Sequence, residues 1–232
     1  MKRITLLAAT AVVVAAFTPT QRSDAQSGAD ARLPEAAVRF EQNASDGDVE
    51  VVFDAGGAPE GLAKLIVRSP DGRIVIDCTA PDGSTMGIRS FRFESPEPSD
   101  VAALQAAYPA GVYSFSGKTV SGVNLHGEAT LSHELPPTVS FLQPAEESED
   151  VATKGLKITW SPVDGMAAYI VEIEQEELHL SITAKLPASA ASFIVPDGFL
   201  LAGTEYKLII GTQSAVGNMS FVETSFETAS DD

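Results

Sequence analysis

The sequence predicts an all-β chain built as two β-sandwiches in tandem. Three observations carry that reading. Short runs of alternating apolar and polar residues recur from Val49 to Phe226, the period of strands with one buried face. Turn signals separate those runs, Ser69-Pro70-Asp71-Gly72 and Ala80-Pro81-Asp82-Gly83 among them. Pro136-Pro137 then divides the 232 residues into two stretches, each long enough to bury its own core. Aromatic residues make up only 7% of the chain, so those cores must rest mainly on Val, Ile, Leu and Ala.

Residues 1–25 read as an export signal. Lys2 and Arg3 form a positive start, Ile4 to Phe17 is apolar apart from two threonines, and Ser23-Asp24-Ala25 offers small residues for cleavage after Ala25. The apolar run is too short for a confident membrane span, and no later run is long enough for one. A secreted or periplasmic protein with no integral span is therefore expected, its mature chain starting at Gln26. Residues 26–36 are small, polar and without period, and read as a linker.

Residues 37–135 read as the first sandwich. Val49, Val51 and Phe53 alternate with polar residues, and a glycine-rich loop follows at Gly56-Gly57. Leu65 and Val67 lead through the Ser69–Gly72 turn to Ile74, Ile76 and Cys78, a hairpin. Phe91 and Phe93 share one face of the next strand. Ser99 or Asp100 can cap a short helix over 101–108, ended by Pro109, with Val101, Leu104 and Tyr108 as its buried stripe. Tyr113-Ser114-Phe115 follows, and a long strand is predicted from Val123 to Leu135. By pattern this is an immunoglobulin-like antiparallel sandwich carrying one short helix. Residues 136–137 form a stiff linker.

Residues 138–230 divide into seven strand-length pieces. Trp160 stands in Lys157-Ile158-Thr159-Trp160-Ser161-Pro162, Tyr169 in Ala168-Tyr169-Ile170-Val171-Glu172, and Tyr206 closes Leu200-Leu201-Ala202-Gly203-Thr204-Glu205-Tyr206. In these three places the segment resembles a fibronectin type III domain: the second-strand tryptophan, the third-strand tyrosine and the L-x-P-G-T-x-Y turn. Ala202 replaces the usual proline. The resemblance implies a second immunoglobulin-like sandwich, with Trp160, Tyr169 and Tyr206 in its core. It implies little about activity, because this sandwich hosts binding, spacing and assembly roles alike.

No catalytic constellation is legible. The three histidines, His126, His133 and His179, are scattered, and no G-x-S-x-G occurs. His126 and Glu128 share one strand face but supply two ligands where zinc needs three or four. Cys78 is the only cysteine and reads as a small buried hydrophobe. An exported chain with one thiol has no internal disulfide to rely on. Asn43, Asp46 and Asp48, around Gly47, are the candidate calcium ligands. The EF-hand spacing is absent, and a polar turn explains the same residues. Asn43-Ala44-Ser45 and Asn218-Met219-Ser220 would be glycan acceptors only in a eukaryotic secretory pathway.

Net charge is −17, and cleavage after Ala25 removes a net +2 to leave the mature chain near −19. That charge repels phosphate backbones and excludes nucleic-acid binding as a function class. The expectation is a non-enzymatic, cofactor-free binding or spacer protein of the cell envelope or exterior, its partner another protein or a glycan. The alternatives are an accessory subunit of an extracellular polysaccharide-degrading system, implied by the resemblance, and a calcium-stabilised adhesion module. Oligomerisation through an unprotected strand edge is a structural third.

Overall fold

The computed structural model describes residues 31–57, 59–80, 87–96 and 100–230, so the export signal and its cleavage site lie outside the described residues. Ala31 to Ala36, read from sequence as linker, is strand for most of its length. β1 (Ala31–Arg32) pairs parallel with Leu125 and His126, and Leu33 is buried beneath it. The strands β2 (Glu35–Asn43), β3 (Asp48–Gly56), β4 (Leu62–Arg68), β5 (Ile74–Thr79) and β6 (Ser90–Glu94) follow. Then come α1 (Val101–Ala107), β7 (Gly111–Thr119) and β8 (Asn124–Leu131).

Two sheets face each other in this half, one in the order β1-β8-β7-β4-β5 and the other made by β2, β3 and β6. Between them Phe40, Val51, Phe53, Leu62, Leu65, Val67, Tyr113 and Phe115 are buried. The alternation that predicts β3 is obeyed: Val49, Val51, Phe53 and Ala55 enter the core. In the predicted hairpin, Gly72 takes φ +86°, and its N–H donates to the Ser69 carbonyl at 2.9 Å. Asp100 caps α1 by accepting from Ala102 N. Of the expected helix stripe Leu104 is buried and Tyr108 half-buried, but Val101, the first residue of the helix, is exposed. The long strand predicted to Leu135 stops at Leu131, after which the backbone turns its carbonyls to Asn218.

The C-terminal half contains β9 (Phe141–Gln143), β10 (Ser148–Val151), β11 (Lys157–Trp160), β12 (Ala168–Gln175) and β13 (Leu180–Pro187). β14 (Ser192–Ile194), β15 (Glu205–Gln213) and β16 (Met219–Thr228) complete it. β14-β11-β9 forms one sheet, and β13-β12-β15-β16 faces it across Trp160, Tyr169, Val171, Tyr206, Leu208 and Phe226. The two halves repeat one topology. Leaving aside the short strands β1 and β10, the first, second and fifth strands of each make one sheet (β2, β3, β6 and β9, β11, β14). The third, fourth, sixth and seventh make the other in the same lateral order.

The halves are not beads on a string. β16, the last strand, pairs parallel with β2, matching Met219, Ser220 and Phe221 to Glu41, Gln42 and Asn43. Ala44 N donates to the Phe221 carbonyl at 2.8 Å and extends the ladder. One sheet therefore runs β13-β12-β15-β16-β2-β3-β6 through both halves. Asn218 fastens the seam. Its Oδ1 accepts from Phe40 N at 2.9 Å, and its Nδ2 donates to the carbonyls of Ser132 and Glu134, both at 2.8 Å. Ser220 Oγ donates to the Pro136 carbonyl and Thr212 Oγ1 to that of Pro137. Asn218, Ser220 and Thr212 are fully buried, so each lost bond would leave a buried polar group unpaired.

Candidate functional site

Because β2 and β16 share a ladder, the outward-facing residues of both halves form one uninterrupted surface. On β2 these are Arg39, Glu41 and Asn43, and on β3 Glu50, Val52 and Asp54. Arg92 and Glu94 continue the face on β6. Beyond the seam it runs through Phe221 and Glu223 on β16, Lys207 and Ile209 on β15, and Glu172 and Glu174 on β12. It ends at Thr183 and Lys185 on β13. The Phe221 ring lies flat on the backbone of Gly211, where an added Cβ would sit 2.5 Å from it. That close approach explains a glycine inside a central strand.

Charges near the seam are organised around Arg39, which is 8% exposed. Its guanidinium pairs with Glu41 and Asp54, while Arg92 reaches Glu41 at 3.4 Å and also binds Glu94. Burial works against the Arg39 charge, but the two carboxylates outweigh it and raise its pKa. Glu50 is placed differently. It stands opposite Glu41 in the ladder, and no hydrogen bond or ion pair from a described residue reaches it. Burial first, then the charges of Glu94, Glu41 and Asp48, push its pKa up to about 7. A like-charged cross-strand pair is destabilising, and Glu50 bears that cost.

Across the seam an open groove of about 700 Å³ crosses the face, from Ser45 past Glu223 and Lys207 to Glu174 and Leu178. Lys207 binds Glu223 at 2.7 Å and stands opposite Glu174 in the ladder, so one ammonium serves the acidic residues Glu223, Glu174 and Glu172. Burial raises the Glu174 pKa first, and its hydrogen bond with Glu172 raises it further.

The candidate calcium ligands sit in the β2–β3 turn. Asn43 Nδ2 donates to Asp46 Oδ2 at 2.9 Å, Asn43 Oδ1 accepts from Ser45 N, and Asp46 Oδ1 accepts from Asp48 N. The Asn43 carbonyl and both Asp46 oxygens are thus engaged in holding the turn, with Gly47 at φ +86°. Ser45 Oγ reaches across to Glu223, accepting its N–H at 2.8 Å, so the turn also clasps the seam. Among the described residues no group of three or more His, Cys, Asp or Glu side chains is placed to hold a metal ion.

The histidines remain apart. His126 and Glu128 are exposed on β8. His133 lies beyond β8, its ring 5.2 Å from that of Phe40 and its Nε2 2.8 Å from the Tyr108 carbonyl. His179 belongs to the β12–β13 turn, at φ +52°, rather than to a strand. Cys78 is half-buried on the edge strand β5 and packs against the N-terminal core. Of the two glycan-acceptor sequences, Asn218 is fully buried and cannot accept a glycan in the folded chain.

Both halves carry a tyrosine corner. Tyr206 OH accepts from Leu201 N at 2.8 Å and donates to the Phe199 carbonyl at 3.4 Å. Tyr113 OH donates to the Pro109 carbonyl at 3.1 Å, at the matching point of the N-terminal sandwich. A scan against protein-family models found no match, and a search of curated protein sequences found none. Solved structures do align. Fibronectin(III)-like modules of CbhA from Clostridium thermocellum are 14% identical, with 85% of this chain and 92% of that one covered at a TM-score of 0.33. A two-domain fibronectin type III segment of chicken tenascin is 13% identical, with 84% and 98% covered at 0.31. Such TM-scores carry no weight by themselves; the strand order of this chain does.

The fold is fibronectin type III-like.

Within that fold the sequence-marked aromatics Trp160, Tyr169 and Tyr206 are core residues. The residues that build the shared face, Arg39, Glu50 and Asn218 above all, were not singled out for it by sequence. Arg39 had one available signal, a charge inside an otherwise apolar strand (Ala37-Val38-Arg39-Phe40).

Proposed function

We propose that this chain is a non-catalytic binding or spacer protein, secreted or periplasmic, that engages another envelope or extracellular protein through the shared outer face. The observation that carries the reading is the seam. A continuous β2–β16 ladder with a buried, fully bonded Asn218 holds two sandwiches in one orientation, so one extended face is presented as a unit. Preorganisation of that kind lowers the entropy cost of binding.

Glu41, Glu50, Asp54, Glu94, Glu172, Glu174 and Glu223 outnumber Arg39, Arg92, Lys185 and Lys207 on the face. A partner surface rich in Lys and Arg complements it and would be steered toward it. Glycan contacts are the weaker reading. Sugar rings stack on rows of exposed aromatics, whereas Trp160, Tyr113, Tyr169 and Tyr206 are fully buried and Phe93 is the single exposed Phe, Tyr or Trp among the described residues. An accessory role in polysaccharide degradation would therefore run through protein contacts too.

Retention of the chain on envelope extracts and on insoluble polysaccharides, measured side by side, tests the reading. The expected result is salt-sensitive retention on the extract that is lost in Glu172→Lys/Glu223→Lys and retained in a control changed on the opposite sheet. Retention on polysaccharide that ignores both changes would overturn it.

A further inference from the structure

The strand edges of this molecule are unequally protected. β16 is covered by β2 along Met219–Phe221 and by β10 along Ser148–Val151, and β1 covers β8 at Leu125 and His126. β5 and β6 also end their sheets but are shorter, six and five residues. β13 is the longest open edge among the described strands, eight residues paired on one side only. An open edge of that length is a template for another strand.

The β13 sequence is close to a palindrome. Leu180-Ser181-Ile182-Thr183-Ala184-Lys185-Leu186, laid antiparallel against itself about Thr183, sets Leu180 opposite Leu186 and Ile182 opposite Ala184 on the core-facing side. On the outer side Thr183 meets Thr183, and Ser181 meets Lys185. No like charges face each other. Leu180 is 40% exposed and would be covered by Leu186 of the second copy.

Charge fits the same register. Lys185 is exposed and has no ion pair among the described residues. Ser181 pairs laterally with Glu174. Lys185 of one copy would thus stand two strand spacings, roughly 10 Å between backbones, from Glu174 of the other, within the joint reach of the two side chains. Within its own chain Glu174 faces Lys207, whose ammonium is already bound to Glu223.

We propose that β13 is a self-association edge: two copies pair these strands antiparallel about Thr183 and merge their eight-stranded sheets into one across a two-fold axis. The shared face is doubled without being covered, because pairing uses the edge. The proposal is independent of the function proposed above.

Sedimentation equilibrium of the chain from Gln26 to Asp232, at several concentrations, provides the first test. A reversible monomer–dimer equilibrium is expected, and a concentration-independent monomer would sink the proposal. Lys185→Glu should raise the dissociation constant by about tenfold or more, since the two-fold axis turns two symmetry-related ion pairs repulsive at once. Adding Glu174→Lys to that variant should restore association. Thr183→Cys in a Cys78→Ser background should give a disulfide-linked dimer on mild oxidation, since the two cysteines would face each other on the axis. A dimer that ignores Lys185→Glu and fails to cross-link at position 183 would place the interface elsewhere.

Discussion

Tyr113 and Tyr206 each close a corner by spending a buried hydroxyl on a loop backbone. Replacing either with Phe keeps the ring and removes the bond, so each change should cost about 1 kcal/mol in urea unfolding, with binding to the outer face unaltered. Only one corner was legible in advance. Leu200–Tyr206 announces itself by a whole turn motif, whereas Tyr113 follows the shorter Pro109-Ala110-Gly111 and looked like an ordinary strand residue. Glu50 gives a pH-dependent prediction. Its folded pKa, about 7, lies above the ordinary carboxylate value of 4.5. A raised carboxylate pKa costs nothing below the unfolded value, and stability is lost as pH rises through the folded one. Glu50→Gln should therefore stabilise the chain by about 1 kcal/mol at pH 8, after discounting for partial exposure. The gain should vanish at pH 4. An equal gain at both values would show that the Glu50 charge, disfavoured by burial and then by Glu94 and Glu41, is not the cause.

At the scale of elements, alternation identified the seven C-terminal strands because each buries one face, and period 2 records that directly. β10 escaped notice, being four residues long and only half-buried. The β2–β16 pairing was invisible for a different reason. It joins strands 178 residues apart through backbone groups, with no side-chain pattern of its own. Its one mark is Asn218, which in sequence is an ordinary turn residue before a strand. Asn218→Ala would strand the buried Phe40 N–H and release two carbonyls, and should cost about 2–3 kcal/mol. The expected signature is loosening at the seam rather than within either core. Tryptophan fluorescence, which reports Trp160 in the C-terminal core, should keep its folded-state spectrum while the unfolding midpoint falls. A shifted folded-state spectrum would mean that the substitution disturbs the core itself.

The whole molecule is two similar sandwiches made into one body by a shared sheet. Sequence reading reached two sandwiches and a proline connector but not their fusion. Pro136 and Pro137 look like a spacer, yet their carbonyls accept bonds from Ser220 and Thr212. Asn43 and Asp46, candidate calcium ligands with Asp48, also bond to one another within a turn that clasps β16. Fusion implies cooperativity, and thermal unfolding followed by Trp160 fluorescence and by far-ultraviolet dichroism should give one coincident transition. Fusion also places the outer face under one set of charges, so its binding should weaken with salt as a unit. Amide hydrogen exchange at the seam tests the central claim most directly. The N–H groups of Phe40 and Ala44, bonded to Asn218 and Phe221, should exchange as slowly as those of Leu208 and Ile210 within the C-terminal sheet. Exchange at loop rates for Phe40 and Ala44, with Leu208 and Ile210 still protected, would show two sandwiches that move independently and would contradict the account.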